Sequence, residues 1–167
     1  SGQGETKVTT NSESDKNVVY FDPVFSPNGN DIAWLVLRFN PDAKQRSWEI
    51  WTQSGESAQQ LYHSDSPLRL LGWSASGKEV LVEESQSNVE QVKPGNFRII
   101  ELQVEGGATK RITDLESVYF HNVVISPDKK SLAFVSRTET GDAINVLPLS
   151  GGNPRRLIES TDPRVYF

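Results

Sequence analysis

The sequence predicts an all-β fold, a partial β-propeller of three four-stranded antiparallel blades. Three observations predict it. A turn followed by an apolar strand recurs from Ser26, Ser74 and Ser126, 48 and then 52 positions apart, and a repeat of this length marks a blade-like unit. The apolar runs are short, rich in Val, Ile, Phe and Trp, and bounded by Gly, Pro, Asn, Asp and Ser, with no sustained 3.6-residue period, which is the signature of strands. Runs such as Ile32 to Leu37 are apolar at consecutive positions, so both faces of each sheet need cover. Small sheets covered on both faces are satisfied by radial stacking. The competing architecture is a β-sandwich whose hairpins look alike.

Each blade reads the same way along the chain. The first elements are the anchor turns: Ser26-Pro27-Asn28-Gly29, Ser74-Ala75-Ser76-Gly77 and Ser126-Pro127-Asp128-Lys129. Pro presets φ at the first corner and Asn favours the second. Gly accepts the left-handed conformation that lets the hairpin resume. Lys129 in place of Gly predicts either a small strain or a different turn. The strands that follow are Asp31 to Leu35, Glu79 to Val82 and Ser131 to Val135. Second runs come next at Trp48 to Trp51, Phe97 to Leu102 and Ile144 to Leu147, then turns at Ser54-Gly55, Gly106-Gly107 and Gly151-Gly152. Closing runs fall at Gln59 to Tyr62, Lys110 to Thr113 and Arg155 to Ile158.

The ends extend the pattern. Lys7 to Thr10 resembles a closing strand, and Val165-Tyr166-Phe167 repeats the openings Val19-Tyr20-Phe21 and Val118-Tyr119-Phe120. The expected units are therefore residues 1–17, holding the outer strand of a preceding blade; 18–67, 68–117 and 118–164, the three blades; and 165–167, the start of a further one. With no Met, the chain reads as a mature or excised piece of something longer.

Composition bounds the chemistry. A 167-residue chain supports a core without disulfides, since a domain of this size buries about 70% of its unfolded surface. Its lack of Cys excludes thiolate catalysis, Cys-ligated zinc and iron–sulfur clusters, and leaves the redox compartment open. A net charge of −5, from 17 basic and 22 acidic residues, argues against a nucleic-acid partner. No apolar run approaches the ~20 residues of a membrane span, so no direct membrane insertion is expected.

The anchor turns, the Gly-Gly turns and the Arg-Arg-Leu-Ile closing run resemble TolB-type propeller repeats, a WD-repeat-like family. Its hallmark is a Ser-Pro-Asp-Gly turn before an apolar strand, with an Arg-Arg-Leu-Thr-like closing strand. The matches are strongest over Ser26 to Trp34, Ser126 to Ser136 and Ser150 to Ile158; the middle repeat, with Ala75 and Ser76, departs from the pattern. The resemblance implies a bacterial, periplasmic or otherwise extracytoplasmic module that recognises a protein or small ligand without catalysing a reaction. It also implies two alternatives: the gating propeller of a prolyl-oligopeptidase-like hydrolase, or a sensory or regulatory tail of a winged-helix regulator or Ser/Thr kinase.

Propellers close with about four to eight blades, and three are too few. An open end face of about 400 Å² of apolar surface costs about 10 kcal/mol, comparable with a whole domain's stability. Hence self-association into a six-bladed ring of two half-rings, or further blades in the parent chain, is expected.

No catalytic constellation is legible. A Gly-x-Ser-x-Gly elbow is missing, His63 and His121 make no zinc motif, and the Gly-Gly pairs lie in hairpins rather than phosphate loops. No cofactor or metal is expected. Glu83 and Glu84 point to opposite faces of a strand and read as a solvated edge. His63 reads as a loop residue, the four Trp as blade packing, and Lys110-Arg111 and Arg155-Arg156 as charges guarding outer strands. The candidate ligand-binding residues belong to predicted inner strands: Asp22, Arg69, His121 and Asn122. The loops Asn40 to Arg46 and Gln86 to Asn96 connect second and third strands and should emerge on one side of the ring, where propellers place binding sites.

Overall fold

The anchor serines build the same turn three times. In each, the Ser backbone N–H donates 2.9 Å to a carbonyl five residues on (Asp31, Glu79, Ser131), closing the hairpin. The Ser hydroxyl donates to Asn28 Oδ1 at 2.7 Å in the first turn and to Asp128 Oδ1 at 2.6 Å in the third. Those same oxygens accept the Asn30 and Lys130 backbone N–H groups. In the middle turn Ser76 Oγ takes that place, accepting the Lys78 N–H at 3.0 Å, so the departure in sequence keeps the chemistry. Lys129 also keeps the turn: it adopts φ 60° where Gly29 and Gly77 have 74° and 72°, and its N–H reaches Ser126 O at 2.9 Å. Of the two expectations for Lys129, strain is the outcome, because a side chain is held in the left-handed region.

The computed structural model describes residues 16–87 and 94–160, with the backbone alone at Phe120 and His121. The strands are β1 (Val18–Phe25), β2 (Asp31–Asn40), β3 (Gln45–Ser54), β4 (Ser57–Ser64), β5 (Leu68–Trp73), β6 (Glu79–Ser85), β7 (Gly95–Gln103), β8 (Thr109–Ile125), β9 (Ser131–Arg137), β10 (Asp142–Pro148) and β11 (Arg155–Ser160). All pairings are antiparallel between sequence neighbours. Strands β1 to β4 form one sheet and β5 to β11 another. The second sheet holds two blades joined by one long strand. Thr109 to Leu115 of β8 closes the second blade against β7, whereas Val123 to Ile125 opens the third against β9. Ser117, at φ 54°, turns the chain between the two halves. The fold is a partial β-propeller. The proposed strand at Lys7 to Thr10 and the opening at Val165 to Phe167 lie outside the described residues.

Two apolar seams hold the blades together. Ala33, Leu35, Trp48 and Ile50 of the first blade meet Leu68, Leu70, Trp73, Val80, Val82, Ile100 and Leu102 of the second. Phe97, Ile99 and Leu115 of the second meet Val118, Val123, Leu132, Phe134 and Leu147 of the third. Alternation along each strand divides these sets: Val80 and Val82 face backward, Ile99 forward. The consecutive apolar runs thus feed two seams at once. Trp73 also crosses the first seam with its indole N–H, 3.0 Å from Val24 O.

Candidate functional site

Strand register carries the charged groups to the rim from which the β2–β3, β6–β7 and β9–β10 connections leave. Arg69 stands directly opposite Glu83 across β5 and β6, and Arg98 opposite Glu84 across β6 and β7. The two glutamates are therefore no solvated edge. Glu83 is 0% and Glu84 8% exposed, because β6 is an interior strand sandwiched between two seams. Their opposite orientation does hold, and each takes different partners. Glu84 Oε1 accepts the Tyr62 and Ser64 hydroxyls of the first blade at 3.0 and 2.8 Å, and its Oε2 lies 3.4 Å from Arg98. Burial and the Glu84 charge push the Tyr62 phenol up to about 12. The first and third blades carry comparable buried acids. Glu49 accepts Arg38 Nε and Trp51 Nε1, both at 2.7 Å, and Asp142 lies 3.0 Å from Arg137 Nε.

Glu83 is one of the buried groups left incomplete, with Arg98 Nε and Asp114 Oδ1 among the others. Glu83 Oε2 lies 3.2 Å from Arg69 Nη1, while Glu83 Oε1 is buried without a partner among the described residues. Burial pushes the carboxyl up to about 7, against the opposing pull of the Arg69 guanidinium. Arg69 Nη1 also donates 2.7 Å to Val123 O, so one side chain ties the second blade's acid to the third blade's inner strand.

All three inner strands bulge, and the sequence candidates cluster there. Pairing shifts between Phe21 and Val24 in β1, Leu70 and Gly72 in β5, and Val118 and Val123 in β8. Asp22 occupies the first bulge at φ 54° and is exposed; Asn122, exposed, and the backbone of His121 occupy the third; Arg69 precedes the second. Arg69 and the Asn122–Val123 segment are brought together through the Val123 carbonyl. The His121 side chain lies outside what is described.

Sequence reasoning missed Glu83 as Arg69's partner. Regular extension of the β5–β6 hairpin from its turn would set Arg69 opposite Glu84; the bulge between Leu70 and Gly72 shifts it to Glu83. His63 falls inside β4 rather than in a loop, 4.0 Å from Glu49 and 3.7 Å from Asp65. It borders a cleft of about 460 Å³ lined also by Asn17, Arg38, Asn40, Arg46 and Asp65. The loop between β2 and β3 thus borders a cavity, although it is only Pro41 to Lys44, pinned by Asn40 Oδ1 accepting from the Asp42 and Ala43 N–H groups. Residues 88–93 of the β6–β7 connection lie outside the described residues. The tryptophans pack: Trp34 and Trp51 stack at 6.4 Å, and Trp48 and Trp73 are buried.

No family model and no curated protein sequence matches the chain. Solved structures do. The β-propeller domain of the Trilobed protease from Pyrococcus furiosus, described as having an open velcro topology, superposes with TM-score 0.61 at 12% identity, over 86% of this chain and 44% of that one. TolB from Acinetobacter baumannii gives 0.55 at 19%, over 78% and 31%. The acylaminoacyl peptidase of Pyrococcus horikoshii gives 0.61 at 12%, over 86% and 26%. At these identities the likeness is one of fold, and the chain spans less than half the length of each of these structures.

Proposed function

We propose that this chain is a non-catalytic TolB-like propeller module that recognises a protein or small ligand in the bacterial cell envelope. The observation that carries the reading is the bulging of the inner strands: Asp22 and Asn122 stand exposed in two of the bulges, and Arg69 precedes the remaining one beside a half-satisfied buried acid. The likeness to TolB supports the family and the extracytoplasmic placement. A second reading is favoured by the peptidase propellers among the similar structures: a gating propeller beside a hydrolase domain of the same polypeptide. Labelling the full-length protein with a fluorophosphonate separates the two. Covalent labelling of a serine would overturn the non-catalytic reading; an unlabelled protein that still binds its ligand supports it.

The outer face of the third blade belongs to the same proposal. Val124, Ala133 and Val146 pair across it, as do Val135, Ile144 and Ile158, and Val124 and Ile158 are 54% and 51% exposed. A further blade or a second copy of the chain covers it. Sedimentation of the isolated chain discriminates: a stable monodisperse monomer excludes the two half-rings.

A further inference from the structure

We propose that Arg69 reads a carboxylate on a peptide ligand at the inner rim between the second and third blades, using the guanidinium edge that Glu83 and the Val123 carbonyl leave open. The proposal deepens the recognition reading and rests on it.

The geometry is that of a preorganised receptor. Nη1 is engaged twice, by Glu83 Oε2 and Val123 O, which fixes the plane of the guanidinium. Nε and Nη2 have no partner among the described residues, and the side chain remains 19% exposed. A planar fork with two free donors matches a carboxylate bidentately. Holding that fork on two blades removes the rotamer cost that a free surface arginine would incur on binding.

Glu83 makes the site selective for conditions as well as for chemistry. An ionised Glu83 and a ligand carboxylate share one guanidinium in a poorly solvated seam and repel each other. A protonated Glu83 leaves the Arg69 charge to the ligand. The surroundings supply little else: Ile99 stands opposite Glu83 on β7, and β8 contributes Leu115, Val118 and Val123 to the seam. Glu84 and Arg98 occupy the other face of the blade. His121, two positions before Val123 in β8, shares that segment with the titratable residues Glu116 and Tyr119, and Tyr119 is engaged by Asp142 and Arg137 of the third blade. Since the Glu83 carboxyl titrates at about 7, the competent fraction falls from about nine-tenths at pH 6 to about one-tenth at pH 8. Affinity should drop about tenfold, while the ligand carboxylate stays ionised throughout.

The test uses three probes on the whole chain: N-acetyl-trialanine with a free C-terminal carboxylate, the same peptide as its amide, and N-acetyl-Ala-Glu-Ala-amide. Affinity is measured at pH 6 and pH 8, and the Arg69 Nε–H resonance is followed by NMR. We expect the carboxylate peptides to bind about tenfold tighter at pH 6 and to shift that resonance; whichever binds tighter tells a terminal from a side-chain carboxylate. The Glu83→Gln variant should lose the pH difference, the His121→Gln variant should keep it, and Arg69→Gln should lose the preference for carboxylate over amide. Equal binding of trialanine and its amide by the unaltered protein, or a pH difference that survives Glu83→Gln but not His121→Gln, overturns the proposal. Neither result touches the recognition reading, which falls with the fluorophosphonate label.

Discussion

Replacing Glu83 with Gln should flatten the pH dependence of stability. Folded Glu83 titrates at about 7, against an ordinary value of 4.5, so the folded chain holds a proton that the unfolded chain has released. The contribution is complete below pH 4.5, declines as pH rises, and is lost by about pH 7, beyond which it stays constant. The full gap corresponds to about 3 kcal/mol, of which about 2.5 kcal/mol falls between pH 5 and pH 8. Gln is nearly isosteric and cannot ionise. Its amide leaves a buried donor where Oε1 has no partner, an offset of about 1 kcal/mol that is the same at every pH. Urea unfolding followed by the fluorescence of the four tryptophans at pH 5 and pH 8 gives the double difference, in which that offset cancels. The variant should gain about 2.5 kcal/mol on the unaltered chain between the two pH values. A double difference below about 1 kcal/mol, or one of opposite sign, would refute the view that Glu83 is a desolvated acid only partly compensated by Arg69.

Other perturbations follow from single contacts. Lys129→Gly relieves φ 60° at an otherwise preserved turn and should stabilise by about 1 kcal/mol, visible as a higher urea midpoint with an unchanged m-value. Trp73→Phe removes the indole N–H that reaches Val24 O across the first seam and opens a small cavity; a loss of about 2 kcal/mol is expected in the same assay. Tyr62→Phe strips one hydroxyl from Glu84, which retains Ser64 and Arg98, and should cost about 1 kcal/mol. In the unaltered protein, ultraviolet titration should show one tyrosine ionising near pH 12, absent from Tyr62→Phe.

How much of this was legible in the sequence depends on whether a feature is local. The anchor turns are: a serine, an acceptor two residues on and a residue tolerant of positive φ suffice, and Ser76 shows that the acceptor need not be Asp or Asn. The strand runs are legible too, since consecutive apolar positions such as Ile32 to Leu37 only make sense between two covered faces. The charged rim was not. Glu83 and Glu84 look solvated because charged residues are rarely buried alone, and their partners lie 14 residues away on different strands. Which partner each meets depends on register, and register depends on bulges at Leu71 and beyond that the residue pattern does not announce. For the same reason Asp22, Arg69 and Asn122 were found as inner-strand residues, but the role of the Val123 carbonyl, which ties Arg69 to the third blade, was not.

The division of labour along each strand explains why the polar groups gather at one rim. A seam must exclude water along most of its length, and Leu35, Ile50, Val82 and Ile100 do so without orientation-specific bonds. Apolar packing alone tolerates sliding of one blade over the next, because substitutions of similar volume fit almost equally well. Hydrogen bonds at the rim remove that freedom. Tyr62 and Ser64 fix the first blade to Glu84 of the second, and Arg69 fixes the second to Val123 of the third. At the first junction Glu84 has three partners, Tyr62, Ser64 and Arg98, although Arg98 Nε is itself buried without a hydrogen-bond partner among the described residues. The second junction leaves Glu83 Oε1 and two donors of Arg69 without partners among the described residues, an arrangement that costs stability unless something else uses it. The contrast between a carboxylate with three partners and one held by Arg69 alone is the physical reason to propose recognition at the second junction.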